Sequence, residues 1–254
     1  MGLPISVSHA LIGGLIGAGL VKSGFDFGVL KVAGVAKIGA FIFLAPLIGM
    51  AGGAILMILV YWLFRNRRPA KVDRVFRVGQ LFSAAAFSLG HGGNDAQKTM
   101  GMITMALAAG GYLASPLDPS TGKLMAPHVP MWVILAAHFA IALGTMLGGW
   151  RVIRTMGTRL TKLKPVQGFC AETAGAIVLF GVTAAGIPVS TTHSVTGAIM
   201  GVGSARRLRA VRWGVATKIL WAWIITIPTS AIVSGLTYWL LDLVGLVSWA
   251  DGLQ

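Results

Sequence analysis

From about Val35 to Phe64 the chain is apolar throughout, with Lys37 its only charged residue and Pro46 inside the run. About 20 residues of this kind cross the hydrocarbon core of a bilayer as a helix. Comparable stretches occur at about 4–21, 78–109, 131–150, 168–185, 188–203 and 213–236. Only 11% of the residues are charged, 56% are hydrophobic and 35 are glycine. A soluble fold of this length has too little interior for so many apolar side chains, and soluble domains carry about 25% charge. The expected fold class is therefore an all-α polytopic membrane protein, multi-pass in the cell inner (plasma) membrane. Glycine at this level fits helices packed closely through small side chains, with Gly144 and Gly148 one such pair. Trp132, Trp150, Trp213 and Trp249 fall near proposed segment ends, where an amphipathic ring is favoured. Trp221 and Trp223 lie deeper, where helices pack.

The formal net charge of +14 would suit a nucleic-acid binder, but its distribution excludes that partner. Fifteen of the 21 Lys and Arg lie in three short stretches, 65–77, 151–164 and 206–212. Basic residues in short loops mark the cytoplasmic side. The loop 110–130 is then external, and Asp118, Lys123 and His128 in it read as solvated. The stretch 188–203 must return to the cytoplasm in sixteen residues, about 24 Å of helix. That is short of a full crossing, so a discontinuous or re-entrant helix is expected there. Cys170, the lone cysteine, reads as a small packing residue and makes no intrachain disulfide or cysteine-based metal site.

Residues 4–19, PISVSHALIGGLIGAG, align without gaps on 188–203, PVSTTHSVTGAIMGVG. Pro4, Ser6, His9, Gly13, Gly17 and Gly19 match Pro188, Ser190, His193, Gly197, Gly201 and Gly203. The charge pattern directs the first copy outward and the second inward. Two copies in opposite directions make an inverted-topology repeat, a recurring transporter design that holds its cargo near the midplane.

Two polar clusters interrupt the apolar segments. In Ser88–Gly101, the charges of Asp95 and Lys98 and the amides of Asn94 and Gln97 would be costly facing lipid. Gly90, Gly92 and Gly93 favour a break in the helix there. Asp95 offers negative charge to a cation, sodium being one candidate. Lys98, Asn94 and Gln97 either donate to an anion or lock the break, and an internal Asp95–Lys98 pair at i,i+3 is a purely structural alternative. In the second cluster, Ser190, Thr191 and Thr192 precede an apolar helix and read as its N-terminus. Orphan N–H groups and the positive end of the dipole favour phosphate or another oxyanion there. Ser6 and Ser8 repeat the pattern. His9 and His193 read as fixed hydrogen-bonding residues rather than proton carriers. Glu172 either joins the site or pairs with Lys162 or Lys164. Neither a Walker A lysine motif nor HExxH spacing is present, so the chain reads as a gradient-driven carrier and not an enzyme.

GHGGNDAQKTMG at 90–101 and PVSTTHSVTGAIMGVG at 188–203 resemble the two signatures of the inorganic phosphate transporter (PiT, or PHO4-type permease) family. GGWRVI from Gly148 and LKPVQGF from Leu163 resemble its second repeat. The resemblance implies secondary transport of phosphate by symport with sodium or protons, and no other cofactor. It implies that Asn94 and Asp95 help bind phosphate and cation, and that Ser190, Thr191 and Thr192 donate to phosphate oxygens. Ser6, Val7 and Ser8 occupy the matching stretch of the first repeat, where Val7 replaces a hydroxyl. Gln97, Lys98, His9, His193 and Glu172 are expected to support the site. The family carries another asparagine–aspartate motif upstream of the first PISxxH motif, and this chain begins at the latter. The expected division is 1–64 as the later part of a first transport repeat, 65–77 as a basic cytoplasmic linker and 78–254 as the second repeat. Its expected partners are phosphate, the lipid bilayer, and a second copy or a missing half-transporter. Two other readings are carriage of a different oxyanion such as sulfate, and a non-transporting membrane subunit.

Overall fold

The computed structural model describes Gly2 and residues 4–116, 125–186 and 189–247. Pro188, Asp118, Lys123 and Trp249 lie outside the described residues. The secondary structure is helical, with no strand among the described residues. The helices are α1 (Val7–Lys22), α2 (Val32–Phe64), α3 (Pro69–Ala109), α4 (Met131–Leu147), α5 (Trp150–Arg154), α6 (Pro165–Ala184), α7 (Thr191–Arg206) and α8 (Trp213–Leu243). A π-helical turn, Thr155–Leu160, follows α5 directly. By length and composition α2, α6 and α8 are each sufficient to cross a membrane.

Two differences from the sequence reading concern α3. Most of the basic stretch 65–77 is helical, because α3 begins at Pro69, a residue suited to the first turn where its missing N–H goes unused. Gly90, Gly92 and Gly93 do not break the helix, which is assigned continuously through them. Glycine weakens a helix interior by about 1 kcal/mol each without forbidding it. At the other end of the chain, α8 runs on to Leu243, so the apolar tail after Leu236 begins as a continuation of that helix.

The described residues of Met1–His91 and Gly149–Tyr238 form one compact unit, and those of Gly92–Gly148 and Trp239–Gln254 form a second. The first is built around α7. Eleven residues of that helix are buried, among them Thr196, Ala198 and Val202. Its core joins Met57 of α2, Cys170 and Ala174 of α6, Leu160, and Ile219 and Trp223 of α8. The second unit has a smaller core of Ala96, Met100, Val133 and Ala137. Cys170 is fully buried, as a packing residue should be. Trp132, Trp150 and Trp213 are exposed, whereas Trp223 is fully buried and Trp221 is not.

The two motif copies exchange partners. A Cβ on Gly197 or Gly201 of α7 would run into the backbone of Pro46 or Met50 in α2. On Gly13 or Gly17 of α1 it would run into the backbone of Ile227 or Ala231 in α8. Each copy therefore lies against the long helix that follows the other copy, at backbone-to-backbone distance that only glycine permits. Among the described residues, Gly144 has nothing near its Cβ position and Gly148 approaches the carbonyl of Gly144. That pair is not the packing seam its spacing suggested.

Candidate functional site

Both motif copies start their helices in the same way. Ser6 caps α1 by accepting the His9 N–H at 3.2 Å, and Ser190 caps α7 by accepting the His193 N–H at 3.4 Å. Each serine has the extended backbone of an N-cap and is almost wholly buried. The identities that relate 4–19 to 188–203 thus specify one device twice: a serine cap with a histidine three residues on.

These two helix starts meet. The rings of His9 and His193 lie edge to face, 4.6 Å between centroids. His193 also stacks on Trp223 of α8 at 3.7 Å. The Trp223 indole N–H donates to the Pro4 carbonyl at 2.9 Å, and the Thr192 hydroxyl donates to the Ile5 carbonyl at 3.4 Å. Pro46 has no N–H to give the Ile42 carbonyl, as a helix would require. Both histidines are buried, and His193 is held by ring contacts: its two ring nitrogens have no hydrogen-bond partner among the described residues, so the hydrogen-bonding role expected of it is not seen there.

The arrangement concentrates positive potential. Each helix start carries orphan N–H groups and about half a unit of positive charge. Each α-helix here has sixteen residues, about 24 Å, so its start lies well inside a 30 Å hydrocarbon layer if its far end is at the surface. Ser6, Ser8, Ser190 and Thr191 are buried around the junction, and Thr192 is partly exposed. Hydroxyls and backbone donors in this setting suit an oxyanion that carries a proton.

The Asn94 cluster belongs to the other compact unit. Asp95 accepts from the Asn94 amide at 3.5 Å and pairs with Lys98 at 3.2 Å, both through Oδ1. Asn94 is buried, Asp95 and Lys98 are mostly buried, and Gln97 is exposed. The i,i+3 ion pair anticipated from the spacing is therefore present. The Asn94 amide oxygen and the Asp95 carboxylate are hard oxygen donors of the kind sodium takes.

For Glu172 the pairing with Lys162 or Lys164 that the sequence suggested is not formed among the described residues. Its carboxylate accepts from the Ser83 hydroxyl at 2.6 Å and from the Gln80 amide at 3.3 Å, both on α3, and is not held by Lys162 or Lys164. Gly168 makes room for Gln80, whose side chain occupies the space a Cβ would need. Sequence reasoning missed Ser83, Gln80 and the locking role of Trp223. A serine and a glutamine on a mostly apolar helix were the only available signal for the first two. His128 is exposed, as expected of an external loop.

Comparison with known proteins supplies the family. Residues 1–234 match the PHO4 phosphate transporter family. The chain is 53% identical over 247 residues to a protein of Rhizobium meliloti named a probable low-affinity inorganic phosphate transporter, covering 96% of this chain and 69% of the relative. A Bacillus subtilis protein of the same name is 40% identical, with 96% and 69% covered. A Mycobacterium leprae protein of that name is also 40% identical, but only 57% of its length is spanned. Among solved structures, one described as the sodium-dependent phosphate transporter superposes with a TM-score of 0.57 and 26% identity, over 93% of this chain and 65% of that one. These relatives are transporters, not enzymes. With its apolar spanning helices and its match along nearly all of its length, this multi-pass membrane chain belongs to the phosphate transporter family.

Proposed function

We propose that the chain carries inorganic phosphate across the cell membrane as a secondary transporter, coupled to a sodium or proton gradient. The observation that carries this reading is the meeting of the α1 and α7 starts, capped alike by Ser6 and Ser190 and joined through His9 and His193. Two helix dipoles aimed at one place favour an anion without a full lysine or arginine charge, which would hold it too tightly to release. Ser6, Ser8, Ser190, Thr191 and Thr192 supply hydroxyls for phosphate oxygens. Asp95 and Asn94 supply oxygen ligands for sodium, and Lys98 and Gln97 support them. His9, His193 and Glu172 hold the surrounding helices in register.

The names of the relatives support phosphate as cargo, and the name of the structural neighbour supports sodium as the coupling ion. The matched part of that neighbour is about two thirds of its length, so a second copy or a further segment completing the site belongs to this proposal. The test is uptake of radiolabelled phosphate by proteoliposomes containing the purified chain. Uptake that follows an inward sodium gradient establishes sodium coupling, and uptake abolished by collapse of the proton gradient establishes proton coupling. Equal competition by sulfate and phosphate would point to a general oxyanion carrier. No uptake at verified membrane incorporation would favour the non-transporting subunit.

A further inference from the structure

The three basic stretches are far apart in sequence, yet two cavities in the first compact unit gather them. One, of about 410 Å³, lies where α2 ends and α3 and α6 begin, and Arg65, Arg67, Lys164 and Arg206 line it. Its one acidic residue is Asp73, which pairs with Arg77 at 3.8 Å. The other, of about 290 Å³, is lined by Lys162, Arg206, Arg209 and Arg212 with no acidic residue. Gln167 and Arg206 belong to both linings, which places the cavities side by side.

Topology alone does not account for this. The cytoplasmic bias of Lys and Arg depends on how many there are in short loops, not on where their side chains converge. Here the smaller cavity also has a polar floor. Thr161 is 4% exposed and Gln167 is 3% exposed, so both are buried side chains turned to the lining of a cationic space. Gln167 accepts the Lys164 N–H through Oε1 at 2.9 Å, so its NH₂ is the group it can offer a ligand. Gly203 brings α7 close to Thr161, since a Cβ there would sit 3.2 Å from its hydroxyl oxygen. Confined cations repel one another, and an anion among them removes that cost.

The chemistry of the donors selects the anion. Guanidinium groups fork onto phosphate oxygens in pairs, and a hydroxyl and an amide NH₂ complete a tetrahedral shell. The start of α6 at Pro165 adds its positive end beside Lys164 and Gln167. Tyr61, Phe64 and Val60 form an apolar side to the larger cavity, which would accept the acyl chains of a phospholipid. We propose that the two cavities form a second anion site at the cytoplasmic end of α6 and α7, which binds a phosphate group borne by an acidic phospholipid or by free phosphate. This site is separate from the α1–α7 junction and stands whether or not the chain transports phosphate.

Amide hydrogen exchange of the full chain in detergent micelles reads the site locally. Short-chain phosphatidylglycerol and sodium phosphate are titrated separately, against short-chain phosphatidylcholine and sodium chloride of matched ionic strength. Protection of peptides covering 161–167 and 206–213 by either phosphate-bearing probe, and not by the controls, is the expected result. Saturation at lower concentration by phosphatidylglycerol assigns a lipid, and the reverse order assigns free phosphate. In Arg209→Gln with Arg212→Gln the apparent affinity should fall at least about tenfold, the loss expected for one charge-assisted hydrogen bond. Arg68→Gln with Arg74→Gln removes the same charge outside both linings and should leave the affinity unchanged. If the first pair fails to fold, Lys162→Gln is read against the same standard. No protection by either probe, or equal loss in the lining and control variants, overturns the proposal.

Discussion

His193 is clamped between two aromatic partners, His9 edge-on at 4.6 Å and Trp223 stacked at 3.7 Å, and this clamp joins the first turns of both motif copies. Trp223 extends the clamp by donating to Pro4, 219 positions away. Replacing Trp223 with Phe keeps the stack and removes the N–H. The expected loss is about 1 kcal/mol, seen as a lower melting temperature in detergent. His193→Ala removes both ring contacts from a buried site and should cost more, about 2–4 kcal/mol. Equal melting of native chain and both variants would show that the junction is not held this way.

The glycine seams predict a contrast between positions that look alike in sequence. Gly197→Ala and Gly201→Ala each push a methyl group into the α2 backbone, where a rigid helix cannot yield. Each should destabilise by about 1–3 kcal/mol or more, the usual cost of overpacking. Gly144→Ala meets open space and should be neutral or slightly stabilising, because alanine is the better helix former. Thermal unfolding of the three variants checks the order.

At the proposed cargo site, Thr191→Ala with Thr192→Ala removes two hydroxyls from the α7 start but leaves the Ser190 cap in place. Phosphate uptake should show a KM raised about tenfold or more, as two lost hydrogen bonds of about 1 kcal/mol each imply. Circular dichroism should be unchanged. A native KM at equal membrane abundance would remove these hydroxyls from the binding role.

Asp95→Asn keeps the size of the side chain but discards the charge paired with Lys98. Coupled uptake should fall at least about tenfold, with sodium dependence weakened most, since the variant has lost an anionic ligand. Lys98→Met in the same background should restore stability lost to an unpaired cation without restoring uptake. Recovery of uptake in that double variant would make the pair structural only.

Glu172 offers a cycle between helices. Glu172→Gln, Ser83→Ala and the double substitution should show a coupling of about 1.5–3 kcal/mol, typical of a hydrogen bond to a charged group. Additive single effects in urea or thermal unfolding would mean that the 2.6 Å contact contributes nothing of its own.

The order in which information became readable follows from its range along the chain. Apolar run lengths determined that the chain is helical and membrane-spanning, because hydrocarbon demands internally satisfied backbones. The repeat at 4–19 and 188–203 was legible as identities, and the Ser–His cap spacing within each copy is a local property of a helix start. The Asp95–Lys98 pair was legible for the same reason, one helical turn apart. The Glu172–Ser83 contact spans 89 positions and left no periodic trace. The exchange of partners, α1 on α8 and α7 on α2, was equally hidden. A small-residue spacing says that a helix can be approached closely, and the same spacing at Gly144 and Gly148 meets no other helix among the described residues. Local chemistry therefore determined which segments are helices, which ends are capped and which side is basic. Only the tertiary structure decided which helix lies against which, because that choice depends on the shape complementarity of surfaces distant in sequence.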